Sequence, residues 1–119
     1  MSSDGFEILI GRNNKQNDRL TLKSSRHEDL WFHTKNFPGS HVVVRAEGRD
    51  IPESTILEAA GYAAWFCKAR SAPKVEVDYT HIRNVKKPAG ARPGMVTYTD
   101  YKTMQALPDE TLAKRLSAP

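Results

Sequence analysis

"DLWFHTKNFPGSHVVV", residues 29–44, predicts a β-hairpin. Two strand-like arms, 29–35 and 41–46, flank the run NFPGS at 36–40, whose residue types favour a turn. The second arm holds three consecutive valines at 42–44 instead of an alternating pattern. Such a run is typical of a strand that is covered on both faces.

The first arm of this hairpin combines aromatic and basic side chains. Because side chains alternate along a strand, Trp31, His33 and Lys35 share one side of the arm. Trp31 is either a core residue or a platform on which a base stacks. His33 and Lys35 are unusual company for a core residue, so we expect an exposed aromatic-basic surface here.

The clearest single element is a helix over 52–69. Asp50 and Glu53 stand three residues apart with Pro52 between them, which is typical of a helix N-terminus. Small and apolar residues recur at helical spacing and allow the helix to lie close against a sheet. The predicted buried stripe comprises Ile56, Leu57, Ala60, Gly61, Ala64 and Cys67.

Further strands and short helices complete the predicted fold. Polar residues at 12–18 favour a turn or a helix start, and with Leu20 and Leu22 they predict a short helix, with a strand as the alternative. The remaining predicted elements are strands at 6–10, 75–80 and 95–102, a connection at 82–85, a loop at 86–94 and a helix at 108–116. We therefore expect an α+β fold, a single domain over 1–119 in which one long helix packs on a mixed β-sheet.

Composition limits the class of protein. The 119 residues are 39% hydrophobic and 27% charged, which is ordinary for a globular chain. No apolar run approaches the roughly 18 residues of a membrane span, and residues 1–5 lack the features of a signal peptide. The single cysteine, Cys67, allows no internal disulfide and fits a reducing compartment. We expect a cytoplasmic protein without membrane contact.

The net charge of +4 is unevenly distributed. Seven basic residues lie between positions 68 and 92, which is typical either of a nucleic-acid-binding surface or of a solvated basic face. Within this stretch, the loop at 86–94 holds two prolines and two glycines beside Lys86, Lys87 and Arg92. Prolines restrict such a loop and glycines let a phosphate approach the backbone, so the loop is a candidate phosphate contact.

The groups capable of chemistry form no clear catalytic or metal motif. His27, His33 and His41 lack metal-site spacing, so neither a metal nor another cofactor is expected. Cys67 falls on the predicted buried face of the helix, which favours packing over nucleophilic chemistry. His33, His41 and Asp78 resemble an acid–base set, although nothing in the sequence brings Asp78 to either histidine. No catalytic residue is assigned, and an RNA-processing enzyme remains the alternative.

Six blocks of the sequence stand out as motifs: GRNNKQND at 11–18, DLWFH at 29–33, PGSHVV at 38–43, EAA at 58–60, VDYT at 77–80, and VKKP at 85–88 continuing to GARPGMV at 90–96. In this order they resemble the NFACT-R family of RNA-binding domains. Several motifs in register are far more specific than any one of them. The resemblance implies RNA binding in ribosome-associated quality control, with tRNA or rRNA and the large ribosomal subunit as partners and no small-molecule substrate.

The predicted RNA-binding residues fall into three groups. Phosphate contacts are expected from Lys86, Lys87 and Arg92, with Arg12, Lys35 and Arg70 as secondary candidates. Stacking and hydrogen bonds are expected from Trp31, His33 and His41. Asn14, Gln16 and Asn17 are candidates for reading base edges or 2′-hydroxyls, or alternatively hold the turn after the first strand. Asp78 is expected to be a structural hydrogen-bond acceptor.

Full-length members of the family also carry an NFACT-N domain, helix–hairpin–helix elements and a long coiled coil, and support tailing of stalled nascent chains. Because this chain has no coiled-coil heptads, tailing is not expected of it alone. We expect either a stand-alone member, which Met1 favours, or an excised domain. Some bacterial members carry the label fibronectin-binding protein, so a protein-binding adhesin is a second alternative; it would require an exposed apolar patch and export.

Overall fold

A five-stranded sheet forms the centre of the molecule. The computed structural model describes residues 2–67, 72 and 74–108. Across the sheet the strands are β1 (Ile8–Ile10), β3 (Val42–Val44), β2 (Leu30–Thr34), β4 (Val75–His81) and β7 (Lys102–Ala106). All four strand pairings are antiparallel. The predicted hairpin is confirmed as the β2–β3 pair, whereas the prediction of a mixed sheet is wrong.

The position of β4 explains why the sheet is antiparallel. The helix α2 (Glu53–Trp65) connects β3 to β4, as a crossover between parallel strands does. However, β4 does not pair with β3. It pairs with the far side of β2, in the register Phe32↔Tyr79, so that β2 separates the two strands that run in the same direction.

The helix α2 packs on one face of the sheet, but it is shorter than the sequence predicts. It has thirteen residues, begins one residue after the predicted start and ends at Trp65. Phe66 leaves the helical conformation, and its carbonyl accepts a hydrogen bond from the N–H of Ser40 in the hairpin. Leu57 is 53% exposed, so its inclusion in the buried stripe is wrong, whereas Cys67 is buried as predicted.

The opposite face of the sheet is also covered. Two short segments lie across it: the π-helical turn Arg19–Lys23 and a two-stranded sheet of β5 (Val85–Lys86) and β6 (Thr97–Tyr98). This face of the sheet has a hydrophobic core of its own, separate from the core under α2, and we call it the second core. It consists of Trp31, Val43, Ile82 and Val85, with Leu20, Val96 and Tyr98 packed against it. The three residues of β3 are fully buried, which confirms the strand covered on both faces.

Trp31 is fully buried in this second core. The prediction that it belongs to an exposed aromatic-basic surface is therefore wrong. The reason is tertiary: β5 and β6 are distant in sequence from β2, yet they lie on the side of β2 that alternation left open.

A short helix after β1 is confirmed. It is α1 (Asn14–Asp18), and the side chain of Asn13 accepts the N–H of Gln16 at its start. The side chain of Gln16 in turn accepts the N–H of Arg12 at 2.9 Å. These two bonds satisfy backbone donors that a helix start leaves without partners.

One predicted strand after β4 differs from the structure. The strand predicted at 95–102 is divided into β6 and β7 by a turn in which Asp100 has a φ of +53°. The connection at 82–85 holds a 3₁₀ turn, Ile82–Asn84, that leads into β5. The helix predicted at 108–116 lies outside the described residues apart from Pro108.

Candidate nucleic-acid interface

A cleft of about 540 Å³ is formed by the hairpin turn, α1 and the segment 92–98. We call it the histidine cleft. Its lining includes Asn14, Trp31, His33, Phe37, His41, Arg92, Met95 and Tyr98. Among the described residues that line it, none is Asp or Glu, and Arg92 is the single Lys or Arg.

The two histidines lie side by side at the base of this cleft. The ring centroids of His33 and His41 are 5.4 Å apart in an edge-on arrangement, and both rings contact Trp31. Burial lowers the pKa of His33, and burial together with the nearby His33 lowers the pKa of His41 to about 4. Both imidazoles are therefore neutral at pH 7 and act as hydrogen-bonding groups instead of cations.

His41 is held in place by its neighbours. Its Nδ1 lies 2.7 Å from the hydroxyl of Thr21, and its backbone N–H donates to the side chain of Asn17 at 3.0 Å. Asn17 is itself buried and also donates to the carbonyl of Gly39 at 3.5 Å. Of the two roles considered for Asn17, the geometry therefore favours holding the chain over reading RNA.

Asp78 is buried on β4, directly opposite His33 in the β2–β4 register. The hydroxyls of Tyr98 and Thr103 each donate to one oxygen of Asp78 at 2.6 Å, and Lys35 Nζ lies 3.7 Å away. Burial and this hydrogen bond raise the pKa of Tyr98, which keeps the donor protonated. The fold thus places His33 next to both His41 and Asp78, a proximity that the sequence alone did not predict. Each Asp78 oxygen nevertheless accepts a hydrogen bond from a neutral hydroxyl, as expected of a structural acceptor.

The loop at 86–94 is fixed to α1 by Asp18. Lys87 Nζ lies 3.2 Å from a carboxylate oxygen of Asp18 and donates to the carbonyl of Arg92 at 2.6 Å. The N–H of Gly94 donates to Asp18 at 2.8 Å, at a φ of +85° that favours glycine. Burial alone would raise the pKa of Asp18, but the bonds from Gly94 and Lys87 lower it overall. The Lys87 side chain is only 25% exposed and serves to position the loop.

The other predicted contact residues are distributed around the cleft. Lys86, Arg92, Arg12 and Asn14 are exposed. The guanidinium of Arg12 lies 4.7 Å from the centre of the Phe66 ring, in a neighbouring groove that shares Asn14 with the histidine cleft. The side chain of Gln16 is used in the start of α1. Arg70 lies outside the described residues.

Two exposed apolar residues at the rim were missed by the sequence analysis. Phe37 in the hairpin turn is 47% exposed, and Met95 after the Pro-Gly pair is 60% exposed. An aromatic residue inside a turn of otherwise polar and small residues was the available signal for Phe37, because turns rarely need an aromatic side chain.

A second cleft, of about 530 Å³, lies on the α2 side of the sheet, where the start of α2 meets β2 and β4. We call it the acidic cleft. Its charged lining residues are Glu28, Asp50, Glu53 and Asp100, against Arg49 and Lys102. Four carboxylates against two cations make its surroundings negative.

Metal binding and membrane insertion have no visible basis in the described part of the chain. No group of three or more His, Cys, Asp or Glu side chains there is arranged to hold a metal ion. Nor does any described helix have the length and apolar character to cross a bilayer.

Comparison with known proteins agrees with the resemblance found in the sequence. The family model for the NFACT protein RNA binding domain matches residues 1–100. The chain belongs to this family. The Rqc2 homolog RqcH of Bacillus subtilis is 52% identical over 108 residues, which are 91% of this chain and 19% of that protein. The ribosome quality control complex subunit NEMF homolog of Drosophila melanogaster is 29% identical over 80 residues, 66% of this chain and 8% of that protein.

A solved structure shares the fold. The C-terminal part of the fibronectin/fibrinogen-binding protein from Streptococcus suis superposes with a TM-score of 0.90 at 42% identity, and covers 97% of this chain and 46% of that one. The chain spans about a fifth of the length of RqcH.

Proposed function

We propose that the chain is a non-catalytic RNA-binding module that contacts tRNA or rRNA at the large ribosomal subunit. The observation that carries this proposal is the histidine cleft, where exposed Arg92 and Asn14 surround neutral hydrogen-bonding groups and no described lining residue is acidic. A polyanion is favoured at such a surface and disfavoured at the acidic cleft.

The exposed cations act on the phosphate backbone. Arg12 lies in the groove that adjoins the histidine cleft, Arg92 lies at the cleft itself, and Lys86 is exposed on β5. Neutral His33 and the amide of Asn14 supply donors and acceptors for bases or 2′-hydroxyls. Lys87 acts indirectly by holding the loop that carries Arg92.

The names of the relatives support the biological setting. The family is described as RNA-binding, and one relative is named as a ribosome quality control subunit. We infer that this chain works with stalled ribosomes in the cytoplasm.

An RNA-processing enzyme is the second candidate, because His33, His41 and Asp78 lie together. The hydrogen bonds of Asp78 argue against it, since each carboxylate oxygen accepts a hydroxyl from Tyr98 or Thr103, and neither His33 nor His41 is hydrogen-bonded to Asp78 in the described part of the chain. RNA that is recovered intact after prolonged incubation with the protein agrees with the binding role, whereas specific cleavage would favour the enzyme.

Salt-dependent binding of labelled total tRNA and of large ribosomal subunits tests the proposal. Affinity falls steeply with salt, and Arg92→Ala or Arg12→Ala each flattens the log–log slope by roughly 0.7 to 0.9 per phosphate contact removed. Lys102→Ala is the control, because it removes the same charge from the acidic cleft and leaves the slope nearly unchanged. Undetectable binding of both total tRNA and large ribosomal subunits at low salt would disprove the proposed function. Binding of fibronectin in place of RNA would favour the adhesin alternative.

A further inference from the structure

We propose that the histidine cleft receives one unpaired base of the bound RNA. This inference rests on the proposed function and specifies what the cleft selects: a nucleotide whose base is free of pairing, instead of a regular duplex.

The size and walls of the cleft suit such an occupant. Its volume of about 540 Å³ lies within the range of about 300–1,000 Å³ that is typical of small-molecule sites. Phe37 enters it from the hairpin turn and Met95 from the segment 92–98, and both side chains are exposed. A flat base covers exposed aromatic and thioether surfaces of this kind well, because every base has an apolar face.

The bottom of the cleft offers polar groups that suit hydrogen bonds to the edge of a nucleobase. The indole Nε1 of Trp31 is buried and has no hydrogen-bond acceptor among the described residues. Such an unsatisfied buried donor is uncommon. The indole itself has no exposed surface but stacks on half-buried His33, so its N–H resonance reports on a ligand in the cleft. Half-buried His33 is neutral and offers a further donor or acceptor, and Asn14 offers an amide at the rim.

The charge of the cleft favours a nucleotide over a basic peptide. The described lining residues include no carboxylate to pair with a lysine or arginine side chain. Arg92 is exposed at the same cleft and can meet the phosphate that accompanies the base.

The two tryptophans make a direct test possible. The chain has two indole N–H groups, from Trp31 in the histidine cleft and Trp65 at the end of α2, which lines the neighbouring groove instead. In ¹⁵N-labelled protein, short single-stranded oligonucleotides of A or of U should shift the Trp31 indole resonance much more than that of Trp65. A hairpin-free RNA duplex at the same phosphate concentration should leave Trp31 nearly unshifted. Equal shifts with the duplex, or none with bound single strands, would overturn the inference.

A pair of exposed apolar variants provides the second measurement. Phe37→Ala should weaken binding of a single-stranded oligonucleotide by about 5-fold to 100-fold and leave the salt slope unchanged, as expected for loss of base stacking. Leu57→Ala is the matched control, because Leu57 is similarly exposed but lies on α2, outside all the described clefts. Thermal melting should show both variants folded.

The results separate the two proposals. If RNA of every kind fails to bind at low salt, the proposed function and this inference both fall. If RNA binds with a steep salt dependence while Phe37→Ala binds like Leu57→Ala, only the base-binding cleft is disproved.

Discussion

The two clefts of this domain have nearly the same volume and opposite electrostatic character. The acidic cleft and the histidine cleft measure about 530 and 540 Å³ and lie on opposite faces of one sheet. Alternation along β2 supplies both: Leu30 contributes to the first cleft, whereas Trp31 and His33 contribute to the second. Size therefore says nothing about function here, and ionisation separates the two surfaces.

The difference also concerns how charge is distributed with depth. In the acidic cleft, carboxylates and cations are both part of the lining. In the histidine cleft, burial keeps the deep histidines neutral, and the positive charge lies on Arg92 at the rim. A polyanion bound as we propose would meet a cation first and neutral groups deeper in, an order that suits phosphate at the surface and a base inside.

The largest expected effect tests whether the histidine cleft is built on core structure. Trp31→Ala removes a fully buried indole from the second core, and we expect a loss of about 3–5 kcal/mol in the free energy of unfolding. Urea denaturation measures it. Tyr79→Ala in the acidic cleft is the comparison and should cost less, because the Tyr79 ring is partly exposed. A folded Trp31→Ala protein that loses less than about 1 kcal/mol would show that Trp31 is not a core residue.

The burial of Trp31 also marks the limit of what local sequence predicts. Alternation correctly placed Trp31, His33 and Lys35 on one side of β2, and the valine run correctly predicted a strand covered on both faces. The Trp31 side of β2 is covered by β6, which lies more than sixty residues later in the chain. No local sequence pattern predicts such a contact. His33, a polar neighbour of Trp31, lines the cleft that β6 helps to form, so its presence beside Trp31 did not require an exposed tryptophan.

The sequence suggested which residues belong to the candidate site, but it could not show what each of them does there. Lys87 and Arg92 look alike in the sequence, yet Lys87 binds Asp18 and a loop carbonyl while Arg92 is exposed. The partner Asp18 lies 69 positions away from Lys87, and only the folded chain brings the two together. Asn17 differs in the same way, because its hydrogen bond to His41 becomes visible only when the hairpin is in place.

The second prediction concerns the effect of pH on the buried histidine of the histidine cleft. The pKa of His41 is about 4 in the folded chain, against about 6.5 for an unfolded histidine, so the unfolded chain binds more protons between these values. Stability is therefore complete above about pH 6.5 and falls as the pH is lowered towards 4. The loss is about 3 kcal/mol for His41 alone. His33, Asp18 and Lys87 are the charged or titratable groups that act on it.

Urea denaturation between pH 7 and pH 5 measures this dependence, because unfolded carboxylates titrate mostly below that range. His41→Gln should be less stable than the unchanged protein at pH 7, but its stability should decline less between pH 7 and 5. Parallel curves for the two proteins would mean that His41 is not the group responsible. The neutral state assigned to His41 at the bottom of the histidine cleft would then be incorrect.

The smallest expected effect is the change in RNA affinity when Asp18 is removed. Its direction, weaker or stronger binding, is the informative part. This carboxylate lies beside a surface proposed to bind a polyanion, so simple electrostatics predicts that its removal strengthens RNA binding. The structure predicts the reverse, because Asp18 holds both Lys87 and the N–H of Gly94 and thereby fixes the loop that carries Arg92. We expect Asp18→Ala to weaken tRNA binding by about 3-fold to 10-fold, or about 1 kcal/mol.

A matched carboxylate separates positioning from charge in this experiment. Glu28→Ala removes the same charge from the acidic cleft and should leave affinity unchanged or slightly improved. Asp18→Asn should fall between Asp18→Ala and the unchanged protein, since an amide oxygen still accepts from Gly94 while the ion pair with Lys87 is lost. If Asp18→Ala instead binds tRNA as tightly as Glu28→Ala does, the loop needs no anchor, and the two clefts differ in charge alone.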